Sequence, residues 1–476
     1  VQMYKMEHIK STAFAALLAI LLLDSCSVQQ APKTDLALPG SFDNVAAVAD
    51  SSVSKMTYKD FFKDPVLVEL IDRGMAKNND LQVAMKQIDI AAEGFKQSKW
   101  VYAPVVNATL ANASINRPSN NSMNGMMASQ FMGQSYTTDY TSAINISWEL
   151  DIWGKLKAQK QDAVIELLKT KEAANAVKTR LVSEIVQGYY NLLMLDKQLA
   201  ITKENLSFAD STWQILVKQQ SLGMTTTLAV QQQLLVKEQV SKRIPDIEGA
   251  IAVQENSLNV LVGNYPRRIE REKGLDEVYV PSQLAAGIPA TLLSFRPDVR
   301  SKELDLRKSY VGIHIARVSM YPVLNITAQG GLNSFKASNW FNIPGALFGT
   351  AAGAITQPIF NGRQLKTKYE QSKLIAEQAE IQFKQSVLQG VGEVSDALIK
   401  IEKLDEQRLM AENIIRQSRE IVDKSLLLYR YNEGTYLEVI VAQTNRLQAE
   451  IDLATLQTQK LNAIAMLYRS LGGGWL

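Results

Sequence analysis

The chain is poor in the residues that do chemistry. Of its 476 residues one is cysteine, Cys26, and two are histidines, one of which, His8, lies in an apolar N-terminal leader. A single cysteine excludes an internal disulfide. His314 is then the one histidine beyond the leader, and between Ile313 and Ile315 on a predicted helix it reads as a packed or solvated structural residue. No glycine-rich phosphate loop of the usual spacing occurs. No catalytic residue, no metal ligand set and no cofactor is therefore expected, and the chain is not read as an enzyme. Charge of one sign is also missing: 51 Lys and Arg face 48 Asp and Glu, a net +3. Nucleic-acid binding would call for a concentrated basic patch, so no nucleic-acid partner is expected. Beyond the first 25 residues no apolar run approaches the roughly 20 residues of a membrane-spanning helix. If the chain crosses a membrane, it must do so as a closed β-barrel, which also satisfies every backbone group internally.

What is present begins at the N-terminus. Lys5, His8 and Lys10 precede an apolar stretch from Ala13 to Leu23, followed by Asp24, Ser25 and Cys26. A basic start, an apolar core of this length and a small residue before the cleavage point describe a secretory signal over residues 1–25. Leu23-Asp24-Ser25-Cys26 resembles a bacterial lipobox, in which Cys26 becomes the lipidated first residue of the mature protein. Asp24 departs from the small residue usual there, and an ordinary signal with an incidental cysteine is the competing reading. Ser27, rather than an aspartate, follows the cysteine and favours outer-membrane delivery.

The pattern repeats internally. Ala103-Pro104-Val105-Val106-Asn107-Ala108-Thr109 matches Tyr321-Pro322-Val323-Leu324-Asn325-Ile326-Thr327 at four of seven positions, at an offset of 218. Each follows a helix-like stretch, Leu81 to Lys99 and Val299 to Met320. Each precedes a strand, a polar loop, a second strand, and then a glycine (Gly154, Gly362) that opens a long helical run. The runs end near Gly223 and Gly434, and a further helix follows each. Such an order, met twice, is the signature of a duplication.

No proline occurs from Ser119 to Ile244 or from Ile359 to the end, which permits long helices. Lys155 to Gln220 alone would rise roughly 100 Å. Leu181, Ile185, Tyr189, Leu192, Leu195 and Leu199 recur at spacings of three and four, the stripe of a helix packed along its length, close to coiled-coil spacing. The strands alternate instead. Tyr140, Ile144, Ile146, Trp148 and Leu150 interleave with Thr141, Asn145, Ser147 and Glu149, and Leu324, Ile326, Ala328 and Leu332 with Asn325, Thr327, Gln329 and Asn333. That alternation fits a soluble sandwich and a membrane barrel equally. Four strands do not close a conducting barrel, so a barrel would have to be shared by several chains.

Several segments, in order, resemble the TolC-like outer-membrane factors, specifically the lipid-anchored OprM and NodT branch. They are Phe62-Lys63-Asp64-Pro65 with Leu70-Ile71 and Asp80-Leu81, then Arg296-Pro297-Asp298-Val299, then Gln357-Pro358-Ile359-Phe360-Asn361-Gly362-Arg363. The resemblance implies a mainly α chain with a small β part. It implies a homotrimer, with four strands per protomer entering one shared transmembrane β-barrel and the helices forming a periplasmic tunnel. It further implies a periplasmic membrane-fusion adaptor and an inner-membrane pump of the RND type as partners, and outer-membrane lipid as surroundings. On this reading residues 26–63 are an N-terminal equatorial segment. Residues 64–262 are a first repeat, with a β-hairpin at 105–150 and a tip turn near 221–230. Residues 263–290 are an equatorial linker. Residues 291–470 are a second repeat, with a hairpin at 323–359 and a tip turn near 431–440, and 471–476 are a flexible glycine-bearing tail.

In the resembling proteins the turns at Gly223 and Gly434 form the periplasmic tip, where the helices close the tunnel. Aspartates are common just beyond the second glycine there. Here Glu438 falls near one such position, Val441 stands where an aspartate is common, and Ala229 leaves the first turn without an acid. The implied gate is therefore Glu438 as an acidic ring with Tyr436 and Leu437 as steric closers, against the plainer reading of Glu438 as a helix N-terminal acid. Met123, Met126, Met127 and Met132 cluster in the loop between the first two strands. Thioethers suit soft Cu(I), yet the plainer reading is an outer loop that carries methionines. The leading function is a passive conduit for small-molecule efflux. A type I protein-secretion channel and a non-conducting periplasmic scaffold are the alternatives.

Overall fold

A computed structural model describes residues 56–279, 295–431 and 433–475. The signal, Cys26, most of the N-terminal segment and the later part of the linker lie outside the described residues. In chain order the elements are α1 (Tyr58–Phe61), α2 (Pro65–Lys77), α3 (Asn79–Ser98), β1 (Val105–Asn116), α4 (Met123–Met132), β2 (Thr137–Leu150), α5 (Lys155–Ser221) and α6 (Thr227–Leu261). They continue with α7 (Pro297–Val318), β3 (Val323–Ser334), β4 (Leu347–Thr356), α8 (Gln364–Arg430) and α9 (Tyr436–Ser470). The duplication is metrical as well as sequential: α5 and α8 each have 67 residues, and α6 and α9 each have 35. Helix α6 runs through Pro245.

The chain divides into two compact units. The described part of one unit comprises residues 90–168 and 304–380 and contains all four strands. They form one antiparallel sheet in the order β1-β2-β3-β4, so the two hairpins of the duplication lie side by side. Helix α5 begins where it does because both Asp151 carboxylate oxygens accept from its first amides, Leu156 and Lys157, at 2.9 Å. Acceptors are wanted at that point, since the first amides of a helix have no partner within it. His314, on α7, is fully buried. Burial and the nearby Arg317 lower its pKa, so the imidazole is held neutral as a packing residue.

The described part of the other unit comprises residues 56–89, 169–279, 295–303, 381–431 and 433–475, and holds the largest core. Helix α2 starts on Asp64, whose Oδ1 accepts from the amides of Val66 and Leu67, with Pro65 at the first helical position. Its Leu67, Leu70 and Ile71 pack into a cluster with Leu181, Ile185, Tyr189 and Leu192 of α5. Four of the six stripe residues thus reach the core, while Leu195 and Leu199 are half-buried. The glycine-bearing tail is not flexible. Leu471 and Gly472 to Gly474 are buried, and the Trp475 indole donates to the Phe295 carbonyl at 3.2 Å. A Cβ on Gly473 would strike the Tyr468 ring, so close packing explains the glycine.

Arg296 ties this unit together. Its Nε and Nη2 donate to the two carboxylate oxygens of Asp298 at 3.1 and 2.7 Å, and Nη2 also donates to Glu393 at 2.8 Å. Nη1 donates to the carbonyls of Ser470 and Gly390. Burial pushes the Asp298 carboxyl up, but the guanidinium outweighs it and holds the group below its ordinary value. Arg296→Met leaves buried acceptors without a donor. It should cost about 3–5 kcal/mol in equilibrium denaturation. Because the Asp298 pKa is depressed in the folded state, the pair's contribution is complete above about pH 4 and is lost as pH falls further. Arg296→Met should flatten that acidic limb of the stability curve.

Candidate functional site

Two regions carry the residues singled out from the sequence, and each is described by itself. The first is the sheet. Its cross-strand register places Asn145 opposite Gln329, Ser147 opposite Thr327, Glu149 opposite Asn325 and Thr141 opposite Asn333. On β1, Asn107 faces Asn145, and Asn112 faces Thr141 after a bulge. One side of the sheet is consequently rich in amides and hydroxyls, with Val105, Ala143, Val323 and Phe348 among its apolar members. The Asn145 amide donates to Thr109 at 3.1 Å, and the Asn333 amide donates to Thr141 at 2.9 Å. The other side carries Val106, Tyr140, Ile144, Ile146, Trp148, Leu324, Ile326, Leu332 and Ile355. Ile144 is 55% exposed and Ile355 73%. An uncovered apolar sheet face of this size is abnormal in water.

Aromatic residues, of which the alternating pattern had shown Tyr140 and Trp148, gather at both ends of the sheet. At the loop end Tyr140 lies 5.6 Å from Trp340, which stacks on Phe341. At the helix end the Trp148 indole donates to the Tyr102 carbonyl, and the Trp153 indole donates to Pro322 and packs edge-on against Tyr321. Their signal was present: tryptophans and tyrosines gather where strands begin and end. The methionine segment is helix α4 rather than a loop, capped by the Ser122 hydroxyl and closed by Gly133 in the left-handed region. Met123, Met126 and Met127 are exposed on it.

The second region is the pair of helix turns. Gly223 has φ +71°, which a side chain rarely adopts, and its backbone closes α5. The Thr226 hydroxyl then caps α6 by accepting from the Ala229 amide. Gly434 works differently: a Cβ there would crowd the Glu438 carboxylate and Leu428. Glu438 lies in the first turn of α9, where its Oε2 accepts from the Thr435 amide at 3.2 Å, so the carboxylate is exposed yet tied to the helix end. Leu437 is exposed, as is Val441. Tyr436 is not an exposed closer within the protomer. It is 6% exposed and belongs to a cluster with Leu216, Ala229 and Val439. Its hydroxyl donates to Gln233 Oε1 at 2.7 Å, and the Gln233 amide donates to the Ala209 carbonyl at 2.9 Å. Burial holds the phenol un-ionised. A second bond joins the Thr225 and Tyr429 hydroxyls at 2.8 Å. The departure at Ala229 now has a packing reason, since an aspartate there would enter this cluster; nothing in the structure explains Val441. Gln233 was hidden in the sequence within a run of glutamines.

Residues 70–264 and 288–473 match the family described as Outer membrane efflux protein. The chain belongs to that family. Among curated relatives, the pyoverdine export outer membrane protein OpmQ of Pseudomonas aeruginosa is 27% identical over 467 residues, covering 96% of each chain. The antibiotic efflux pump outer membrane protein ArpC of Pseudomonas putida is 25% identical over 468 residues, covering 95% of this chain and 94% of that one. A crystal structure of CusC shares the fold with a TM-score of 0.82 at 24% identity, over 94% of this chain and 99% of that one.

For an outer-membrane efflux protein, the hydroxyl–amide link at the turns is a measurable joint. Tyr436→Phe and Gln233→Leu each strand a buried partner and should cost about 1–3 kcal/mol. A double-mutant cycle in denaturant should return a coupling of about 1 kcal/mol or more. Additive losses would mean that the two side chains do not act as a pair.

Proposed function

We propose that this chain is the outer-membrane channel of a tripartite efflux system, a passive conduit for small molecules built as a homotrimer. The observation that carries the reading is the sheet. It is largely polar on one side and apolar on the other, and among the described residues no further strand pairs with the outward edges of β1 and β4. Open edges of this kind are not tolerated in lipid, and closing them with copies of the same chain gives a barrel with a watery interior. Helix α8 supports the same assembly. Ile381, Leu388, Ile399, Met410, Ile414, Ile421 and Leu428 stay exposed along it at intervals that keep them on one face of the helix, the seam that a neighbouring protomer would cover.

Solutes in this reading pass through without being converted, and the driving force comes from an inner-membrane pump, of RND type, coupled by a periplasmic adaptor. Export of small molecules, rather than of secreted proteins, agrees with what the names of OpmQ and ArpC say of those proteins. Cys26 would carry the lipid anchor. The helix turns would close the conduit, with Leu437 as the exposed apolar closer and Glu438 supplying one carboxylate per protomer. Tyr436 takes a different part, as the buried link that holds the second turn against the first.

Purified protein should run as a trimer by native mass spectrometry and give small, discrete conductance steps in planar bilayers. Leu437→Ala and Tyr436→Phe should both raise conductance, and Glu438→Ala should reduce cation preference. A monomer without conductance would sink the channel reading. Conductance and selectivity unaltered in Glu438→Ala would remove Glu438 from the gate.

A further inference from the structure

The polar side of the sheet is almost free of charge. Among the described strand residues there is no Lys or Arg, and Asp139 and Glu149 are the two acids. They share the polar side, Asp139 at its loop end and Glu149 at its helix end. Their circumstances differ. Lys155 donates to both Glu149 oxygens, at 2.9 and 3.2 Å, and neutralises it. Among the described residues the donors to Asp139 are neutral, the Asn333 amide at 2.5 Å and the Thr141 hydroxyl at 3.4 Å. These bonds hold the carboxylate on the polar side without cancelling its charge. Arg117 lies just past the end of β1 and Lys336 just past β3, outside the strand register. No ion pair joins either to Asp139.

We infer that Asp139 is a selectivity residue of the conduit: one un-neutralised carboxylate per protomer, forming a ring at the loop end of the barrel that favours cations over anions. The inference rests on the shared-barrel reading above. A ring of fixed negative charge raises the local cation concentration in a water-filled mouth. The effect reaches across about 30 Å in 0.01 M salt and about 3 Å in 1 M. Between the two ends, the wall offers the hydrogen bonds of its Asn, Gln, Thr and Ser side chains, among small and apolar residues, and no charge. On the strand wall itself, the fixed charge with no opposite charge beside it is therefore Asp139, with Arg117 and Lys336 lying beyond the strands.

The test is the reversal potential of single channels in a gradient of dilute KCl, compared with the same measurement in concentrated KCl. Wild type should prefer K+ over Cl− in dilute salt and lose the preference at about 1 M. Asp139→Asn should lower the dilute-salt permeability ratio by about two-fold or more, with trimer formation and conductance retained. Asp139→Glu should restore the ratio, and Asp139→Ser should match Asp139→Asn. An unchanged ratio in a conducting Asp139→Asn channel overturns the inference and leaves the channel reading standing. A wild-type channel that conducts without cation preference does the same. No conductance in the wild type overturns both.

Discussion

The structure depends on a backbone debt at the edges of one small sheet. Strands β2 and β3 are paired on both sides, whereas among the described residues no strand pairs with the outer edge of β1 or of β4. In water such an edge invites uncontrolled association, and in lipid every unpaired group costs several kcal/mol. Charge, proline or a covering helix would blunt the edge, but β1 and β4 contain no charged residue and no proline. The edges are built to be joined. Among the described residues the two sides of the sheet stay largely uncovered, one apolar and one polar, and α8 carries an exposed apolar seam of its own.

The two copies of the duplicated unit share lengths but have divided the labour at their turns. The first turn uses a left-handed glycine and a threonine cap. The second uses a glycine chosen for close approach and a glutamate that reaches back to the Thr435 amide. Tyr436, from the second, enters a cluster with Leu216 and Ala229 of the first and bonds to Gln233. A buried polar link of this kind fixes a geometry more than it adds stability, because its partners are costly only when parted. The joint between the turns is thus one that resists partial opening.

Much of this was legible in the sequence. The period-two alternation around Tyr140 and Leu324 fixed which residues share a side, and the glycines at 154, 223, 362 and 434 marked the element boundaries. The missing prolines permitted helices as long as α5 and α8, and the flanking glycines bounded them. What stayed hidden depends on tertiary neighbours. Leu195 and Leu199 continue a perfect stripe, yet they are only half-buried. Tyr436 sits beside Leu437 in a turn, and only the fold decides that one is buried and the other exposed. The glycines at 472 to 474 look like a loose end until Phe295 and Tyr468 are seen to press on them. Glu149 and Asp139 are alike as letters, and differ because a lysine six residues along folds back onto one of them.

The central claim is that β1 and β4 complete their hydrogen bonding with other copies of the chain. Residue-resolved hydrogen exchange of the assembled protein in a membrane tests it most directly. Outward amides of β1 and β4 should be protected as strongly as those of β2 and β3. Fast exchange confined to the outer rows of β1 and β4, in an otherwise protected sheet, would contradict it.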